Sequence, residues 1–170
     1  VDFFHRAFRM VAPFTLVLCL VLAISGDEQG KSVAEHQPVK LAAMEAHWHT
    51  GKNVPFYLFV IPDPANERNS VEFLGIPSLL SWISYGSADA EVKGLLDYPP
   101  TDRPPVSEVF WSFRGMVALG VIFIALSLWA TWQRKKEEQN PWLLKCLVWN
   151  VPLPYIALML GWAVAEIGRQ

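Results

Sequence analysis

Cysteine is scarce in this chain: two in 170 residues, Cys19 and Cys146, both inside apolar runs. That number and placement exclude a disulfide framework and any cysteine metal spacing, and leave both as small buried hydrophobes. Charge is scarce too, at 18% of residues, and the net value of -2 says little as a sum. The layout of a signal peptide is missing from the first residues. What the chain has in excess is apolar surface: 52% hydrophobic residues, eight of them Trp, gathered in blocks. Length alone would allow one soluble domain. Blocks of this size point instead to membrane spans, which need about 20 apolar residues each.

Three such blocks stand out. Met10 to Ser25 is entered from His5, Arg6 and Arg9 and is extended by Phe3, Phe4, Ala7 and Phe8. Pro13 sits early enough to bend it without destroying it, and Gly26 and Asp27 are expected to end it. Val109 to Trp132 has Trp111 and Phe113 at one boundary and Trp129 and Trp132 at the other, the aromatic-belt pattern. Trp142 to Ile167 carries Pro152 and Pro154, which predict a kink or an irregular turn. The division expected is a span at 1–26, a polar loop at 27–108, a span at 109–133, a charged turn at 134–140 and a span at 141–170. The chain begins Val1-Asp-Phe and ends Gly168-Arg-Gln170, and it reads as a fragment of a longer membrane protein.

The fold class expected is therefore all-α and membrane-embedded: three transmembrane helices and an outer loop holding a short amphipathic helix. That helix is predicted at Pro38–Trp48. Pro38 suits a first helical position, and Leu41, Ala42, Ala43 and Met44 are good helix formers. The rest of the loop is punctuated by Pro62-Asp-Pro64, Tyr98-Pro-Pro100 and Arg103-Pro-Pro105, which mark turns. One short strand at Tyr57–Ile61 and a second amphipathic helix at Ile76–Tyr85 are expected within it. Charge gives the orientation. Arg6, Arg9, Arg134, Lys135, Lys136 and Lys145 flank one end of the spans, whereas the loop has six basic against twelve acidic residues. The basic turn is thus expected in the cytoplasm and the loop outside, with Arg114, Met116, Glu166 and Arg169 near the outer face.

Ionisable residues at span depth are costly and call for a function; Arg114, Glu166 and Arg169 are the ones so placed. Trp162, Glu166 and Arg169 share a helix face at i, i+4, i+7. Gly161, Ala165 and Gly168 make a stripe of small residues beside them, open to a neighbouring helix or a flat cofactor. Met116 stands among Gly115, Ala118 and Gly120, and a thioether so placed can be a haem axial ligand or ordinary packing. Lys40 and Glu45, five apart, point in different directions on a helix. His47 and His49, at i, i+2, do not share a helix face, which argues against a metal pair.

Taken together, Gly26-Asp27, Gln37-Pro-Val-Lys-Leu-Ala-Ala-Met-Glu-Ala-His-Trp48, Phe113-Arg-Gly-Met116, Pro152-Leu-Pro154 and Gly161-Trp-Ala-Val-Ala-Glu-Ile-Gly-Arg-Gln170 resemble subunit I of the cytochrome bd-type quinol oxidases. The resemblance covers nearly the whole chain. It implies that Lys40 and Glu45 bind and oxidise quinol, ubiquinol or menaquinol. It implies that Met116 is one axial ligand of a low-spin haem b with Arg114 beside it. Glu166 becomes an axial ligand of a high-spin haem b, with Trp162 between haems and Arg169 a nearby charge partner. A further haem, d-type or b-type, would complete the subunit. Oxygen is then the second substrate, and oxidase subunit II and the N-terminal half of the same subunit are partners. A bacterial cytoplasmic membrane is the location, and no nucleic acid is involved. The compact loop resembles the short-loop members, and the histidines expected opposite Met116 and at the oxygen-reducing haem are not in this chain. Two rivals stay open: a haem-free transporter using Arg114, Glu166 and Arg169, and a purely structural bundle. Haem absorbance separates the first from an oxidase, and Glu166→Gln, which would leave activity intact in a structural bundle, separates the second.

Overall fold

The computed structural model describes residues 2–135 and 140–168; Lys136–Gln139 of the charged turn and Arg169 lie outside them. Among the described residues, six α-helices and four strands follow in order: α1 (Asp2–His36), α2 (Pro38–Glu45), β1 (Gly51–Lys52), β2 (Phe56–Asp63), β3 (Arg68–Ile76), α3 (Leu79–Tyr85), β4 (Glu91–Val92), α4 (Val106–Gln133), α5 (Pro141–Asn150) and α6 (Leu153–Ile167). Among the described residues, three helical stretches are long and apolar enough to cross a membrane: Asp2–His36, Pro100–Gln133 and Pro141–Ile167. The chain divides into two compact units, Val1–Gly26 with Gly115–Met159, and Asp27–Arg114 with Leu160–Gln170.

The first unit is helical, and its interior is thin. Ala12, Ala130 and Leu143 are buried together, with Phe8, Trp129 and Leu147 packed against them. Arg9 Nε donates to the Arg134 carbonyl at 3.2 Å. Phe14, Leu22, Val121 and Leu158 are left exposed. Helices that satisfy their own backbone while presenting apolar side chains outward are what a bilayer accepts. α5 opens on a cap, with the Leu143 N–H donating to Asn140 Oδ1 at 3.2 Å and Pro141 in the first turn. It stops at Asn150, and α6 restarts at Leu153. The break falls at Pro152 and Pro154, as two missing N–H donors require.

One boundary differs from expectation. Gly26 and Asp27 do not end α1, which continues unbroken to His36. At 1.5 Å per residue that is about 52 Å, well beyond a hydrocarbon core of about 30 Å. Two things carry it onward. Lys31 pairs with Asp27 at 2.6 Å and Glu28 at 3.1 Å on the helix face, and such i, i+4 and i, i+3 pairs outweigh part of the cost of one mid-helix glycine. The final turns also pack: Ala34 is buried with Leu41, Val54, Leu80 and Val92, and Tyr85 Oη donates to the Ala34 carbonyl at 3.1 Å.

The second unit is built on α2. Pro38 occupies its first turn, and Val39, Leu41, Ala42, Ala43 and Met44 are buried. The helix ends at Glu45, three residues before the expected Trp48, because Ala46 turns left-handed with φ 50°. A non-glycine pays for that conformation. Here the Ala46 carbonyl is fixed by Asn69 Nδ2 at 3.0 Å and the side chain is buried. The strand expected at Tyr57–Ile61 is longer, Phe56–Asp63, and pairs antiparallel with an unexpected second strand, Arg68–Ile76. Asp63 closes the turn by accepting from the Asn66 backbone and side-chain amides. The helix predicted from Ile76 begins at Leu79, since Ile76 pairs with Phe56 in the hairpin. Gly94 is a true close approach: a Cβ there would stand 2.4 Å from the Trp48 carbonyl oxygen and 2.6 Å from the Thr50 nitrogen. That contact locks the segment after α2 against the one after β4.

Candidate functional site

Glu45 is the last residue of α2, and its side chain is 7% exposed. Arg114, on α4 and 16% exposed, donates from Nη2 to Glu45 Oε2 at 2.5 Å. Phe56 and Phe110 bracket the guanidinium, at 4.4 and 5.3 Å from their ring centroids. Arg114 is held by charge on one side and by π faces on the others, an arrangement lysine cannot copy. Burial pushes the Glu45 carboxyl up to about 7, against the pull of Arg114. A carboxyl in that range can take and release a proton near neutrality. Arg114 Nε is buried with no hydrogen-bond partner among the described residues.

Lys40, on the same helix, faces elsewhere. Its ammonium donates to the Ala165 carbonyl at 3.4 Å, at the end of α6, with Glu166 close enough to act on its charge. Desolvation lowers its pKa, and the Glu166 carboxylate opposes that shift. Gly168 makes room for the Lys40 stem: a Cβ there would lie 2.9 Å from Lys40 Cε. The small stripe seen in the sequence therefore has one member with a definite neighbour. Glu166 itself makes no hydrogen bond or ion pair among the described residues, and Trp162 is 62% exposed on the same helix. Met116 is half-buried on α4, two residues past Arg114. Arg169 lies outside the described residues.

The geometry thus brings together Glu45 with Arg114, and Lys40 with Glu166. It also brings in Asn69 and Glu72, which the sequence did not single out. A cavity of about 440 Å³ opens beside Glu45, lined by His47, Tyr57, Asn69 and Glu72 among others. Asn69 ties it together: it accepts from Trp48 Nε1 at 2.8 Å and donates to the Ala46 carbonyl at 3.0 Å and to Glu72 at 2.7 Å. Only the pairing of the unforeseen β3 brings Asn69 and Glu72 to this place, so no local signal could have found them.

The family model for cytochrome bd terminal oxidase subunit I matches residues 1–170. The chain belongs to that family. It is 35% identical to cytochrome bd ubiquinol oxidase subunit 1 of Bacillus subtilis over the whole chain and 39% of that protein. It is 30% identical to cytochrome bd-II ubiquinol oxidase subunit 1 of Escherichia coli over 97% of the chain and 45% of that protein. The bd oxidase structure from Geobacillus thermodenitrificans matches 97% of the chain and 38% of its own, at 31% identity and a TM-score of 0.83. This bd oxidase subunit I chain therefore spans about two-fifths of the length of these relatives, and it is a bacterial membrane protein by its helices and its family.

The family implies haem, and the chain has side chains of a kind that can ligate iron one at a time. Among the described residues no three His, Cys, Asp or Glu side chains cluster to hold a bare metal ion. A thioether and a lone carboxylate, Met116 and Glu166, are instead presented singly. Single donors suit a haem, whose porphyrin already fills four positions on the iron.

Proposed function

We propose that the chain is part of the catalytic subunit of a quinol:oxygen oxidoreductase, working with the remainder of that subunit and with subunit II. Quinol, ubiquinol or menaquinol, is oxidised at the α2 loop, and oxygen is reduced to water. The single observation that carries this is the buried Glu45–Arg114 pair, 2.5 Å long, joining α2 to the helix that holds Met116 two residues later. A quinol losing two electrons must also lose two protons. Glu45, poised near neutrality, accepts a proton from a quinol hydroxyl; its charge partner Arg114 keeps the carboxylate form available. Lys40, half-buried and cationic beside Glu166, offers a donor for a quinol oxygen.

Met116 would hold a low-spin haem b and Glu166 a high-spin haem b, with Trp162 between haems, Arg114 and Arg169 as charge neighbours, and a further haem d or b in the whole subunit. When bound, the haems supply one-electron transfer from quinol to oxygen. The loop lies outside the bacterial cytoplasmic membrane, so quinol protons leave there while oxygen reduction draws protons from the cytoplasm. The result is a proton gradient without a pump.

The test is a reduced-minus-oxidised spectrum of the full-length complex beside its Met116→Leu variant. The parent shows b-type haem bands, and the variant loses the low-spin one alone; a parent without haem sinks the proposal. Sidedness has its own check. A single cysteine at Asn66 in intact cells reacts with an impermeant maleimide, whereas one at Gln139 reacts only after the membrane is opened; the reverse pattern inverts the topology.

A further inference from the structure

Glu45 meets Arg114 at the point where the chain turns sharply out of α2. The helix ends at Glu45, and Ala46 takes the left-handed conformation, with φ 50° and ψ 44°. Two backbone bonds close this turn. The Ala46 N–H donates to the Ala43 carbonyl at 3.3 Å, and the His47 N–H reaches back to the Ala42 carbonyl at 2.8 Å. That pair of bonds is the common glycine-ended helix stop, and Ala46 occupies the position where glycine is usual. A Cβ disfavours the left-handed region, so the turn needs a hold from outside α2.

Asn69 supplies that hold, and a bulge in the hairpin brings it there. Ile61 pairs with Val71, but the next pair is Pro62 with Asn69, so Ser70 is an extra residue on β3. A bulge re-aims the side chains beyond it. In a regular ladder Asn69 would share the face of Val71, which is exposed; here it stands opposite Pro62, which is buried. Its neighbours then dictate how the amide lies. The Trp48 indole has only a donor, and its Nε1 donates to Asn69 Oδ1 at 2.8 Å. The Ala46 carbonyl and Glu72 Oε1 accept from Nδ2 at 3.0 and 2.7 Å. Trp48 is 5% exposed, in the core with Met44 and Val60. Asn69 is thus anchored to the core at one end and grips the carbonyl of the strained residue at the other.

We propose that Asn69 is a positioning residue for quinol oxidation: by tying the Ala46 carbonyl to the buried Trp48 indole, it keeps the turn left-handed and Glu45 aimed at Arg114. Asn69 acts through the backbone of Ala46 and moves no proton itself. Its chemistry is specific. Aspartate, of the same shape, would set an oxygen against the Ala46 carbonyl and Glu72, where Nδ2 now donates to both. Alanine would leave the Trp48 indole N–H and the Ala46 carbonyl without the partner they have now. The role rests on the reading of Glu45 as the group that takes the quinol proton.

The experiment uses the full-length oxidase complex with Asn69→Ala, Asn69→Asp, Asn69→Ala combined with Ala46→Gly, and Glu45→Gln as reference. Two quantities are read: quinol oxidation, and backbone amide exchange of residues 41–48 by mass spectrometry. In Asn69→Ala, kcat is expected to fall about ten- to a hundredfold, the loss that a misplacement of about 1 Å can bring. The quinol KM and the haem spectrum stay unchanged, and exchange in the segment quickens. Glycine takes the left-handed conformation without strain, so the double variant regains the parent rate and the slow exchange. A loss of general stability would not be repaired by a glycine. Asn69→Asp reads the same hold if Asn69→Ala fails to assemble. Unchanged exchange in the Asn69 variants, or a defect that Ala46→Gly leaves in place, overturns the hold. Quickened exchange with the parent rate, beside a slow Glu45→Gln, overturns the positioning role alone. If Glu45→Gln is itself fully active, the quinol reading of Glu45 falls and the positioning role with it, whatever the exchange shows.

Discussion

Glu45→Gln lowers quinol oxidation by about 100-fold or more at neutral pH, while the haem spectrum of the complex stays as in the parent. The magnitude is that of a lost general base, worth about 10² to 10⁴ in rate. Glutamine keeps the shape and an oxygen that can accept from Arg114 Nη2, so the α2–α4 join survives. What it lacks is a basic oxygen. The pH dependence follows from the carboxyl standing at about 7 in the fold against 4.5 in the open chain. Below 7 the group is protonated and cannot accept, so parent turnover climbs as pH rises through 7 and then levels. Stability runs the other way. The folded chain holds this proton more tightly than the unfolded chain. The contribution is fully present below about 4.5 and is lost as pH rises from there through 7. The glutamine variant should show neither trend. Turnover measured from pH 5.5 to 8.5, with thermal unfolding at the same points, checks both, and an unchanged rate in Glu45→Gln sinks the assignment.

The helical setting of the proposed site residues was legible in the sequence for local reasons, whereas the roles proposed for them come from the family resemblance. Lys40, Glu45, Arg114 and Met116 sit in short motifs whose helical setting is strong, and the proline pair at 152 and 154 placed the α5–α6 break correctly. What escaped was non-local. The run Arg68–Ile76 shows no clean alternation, because Glu72 and Gly75 interrupt its apolar residues. It becomes a strand only by pairing with Phe56–Asp63, where the Tyr57 ring covers Gly75 across the ladder. Position β3 wrongly and Asn69 and Glu72 vanish from the cavity. The overrun of α1 escaped for a similar reason: Gly26 and Asp27 read as a stop, and only the packing of Ala34 and the Lys31 pairs outweighs that local signal. The partnership of Arg114 with Glu45 was likewise invisible, since 69 residues separate them and each alone had a reason to be where it is.

That partnership makes Arg114→Leu the second large effect. Removing one member of a buried pair costs about 3 to 5 kcal/mol when the other stays charged. Glu45 has an escape that a strong acid would not: it can protonate. Losing the Arg114 charge and hydrogen bond leaves burial unopposed, so the carboxyl rises above its present value near 7. At low pH, where Glu45 is neutral in both proteins, the stability gap should be smallest. As pH rises it should widen, because the variant pays more to form a carboxylate. Quinol oxidation should fall at least about tenfold at pH 7 and recover partly at alkaline pH, its rising limb displaced upward. Arg114→Lys separates charge from shape. It restores a cation near Glu45 but not the flat group between Phe56 and Phe110, so its rising limb should return toward that of the parent while part of the stability loss remains. A leucine variant with the parent's pH profile would mean that Glu45 does not set it, and that the pair serves only to fasten α2 to α4.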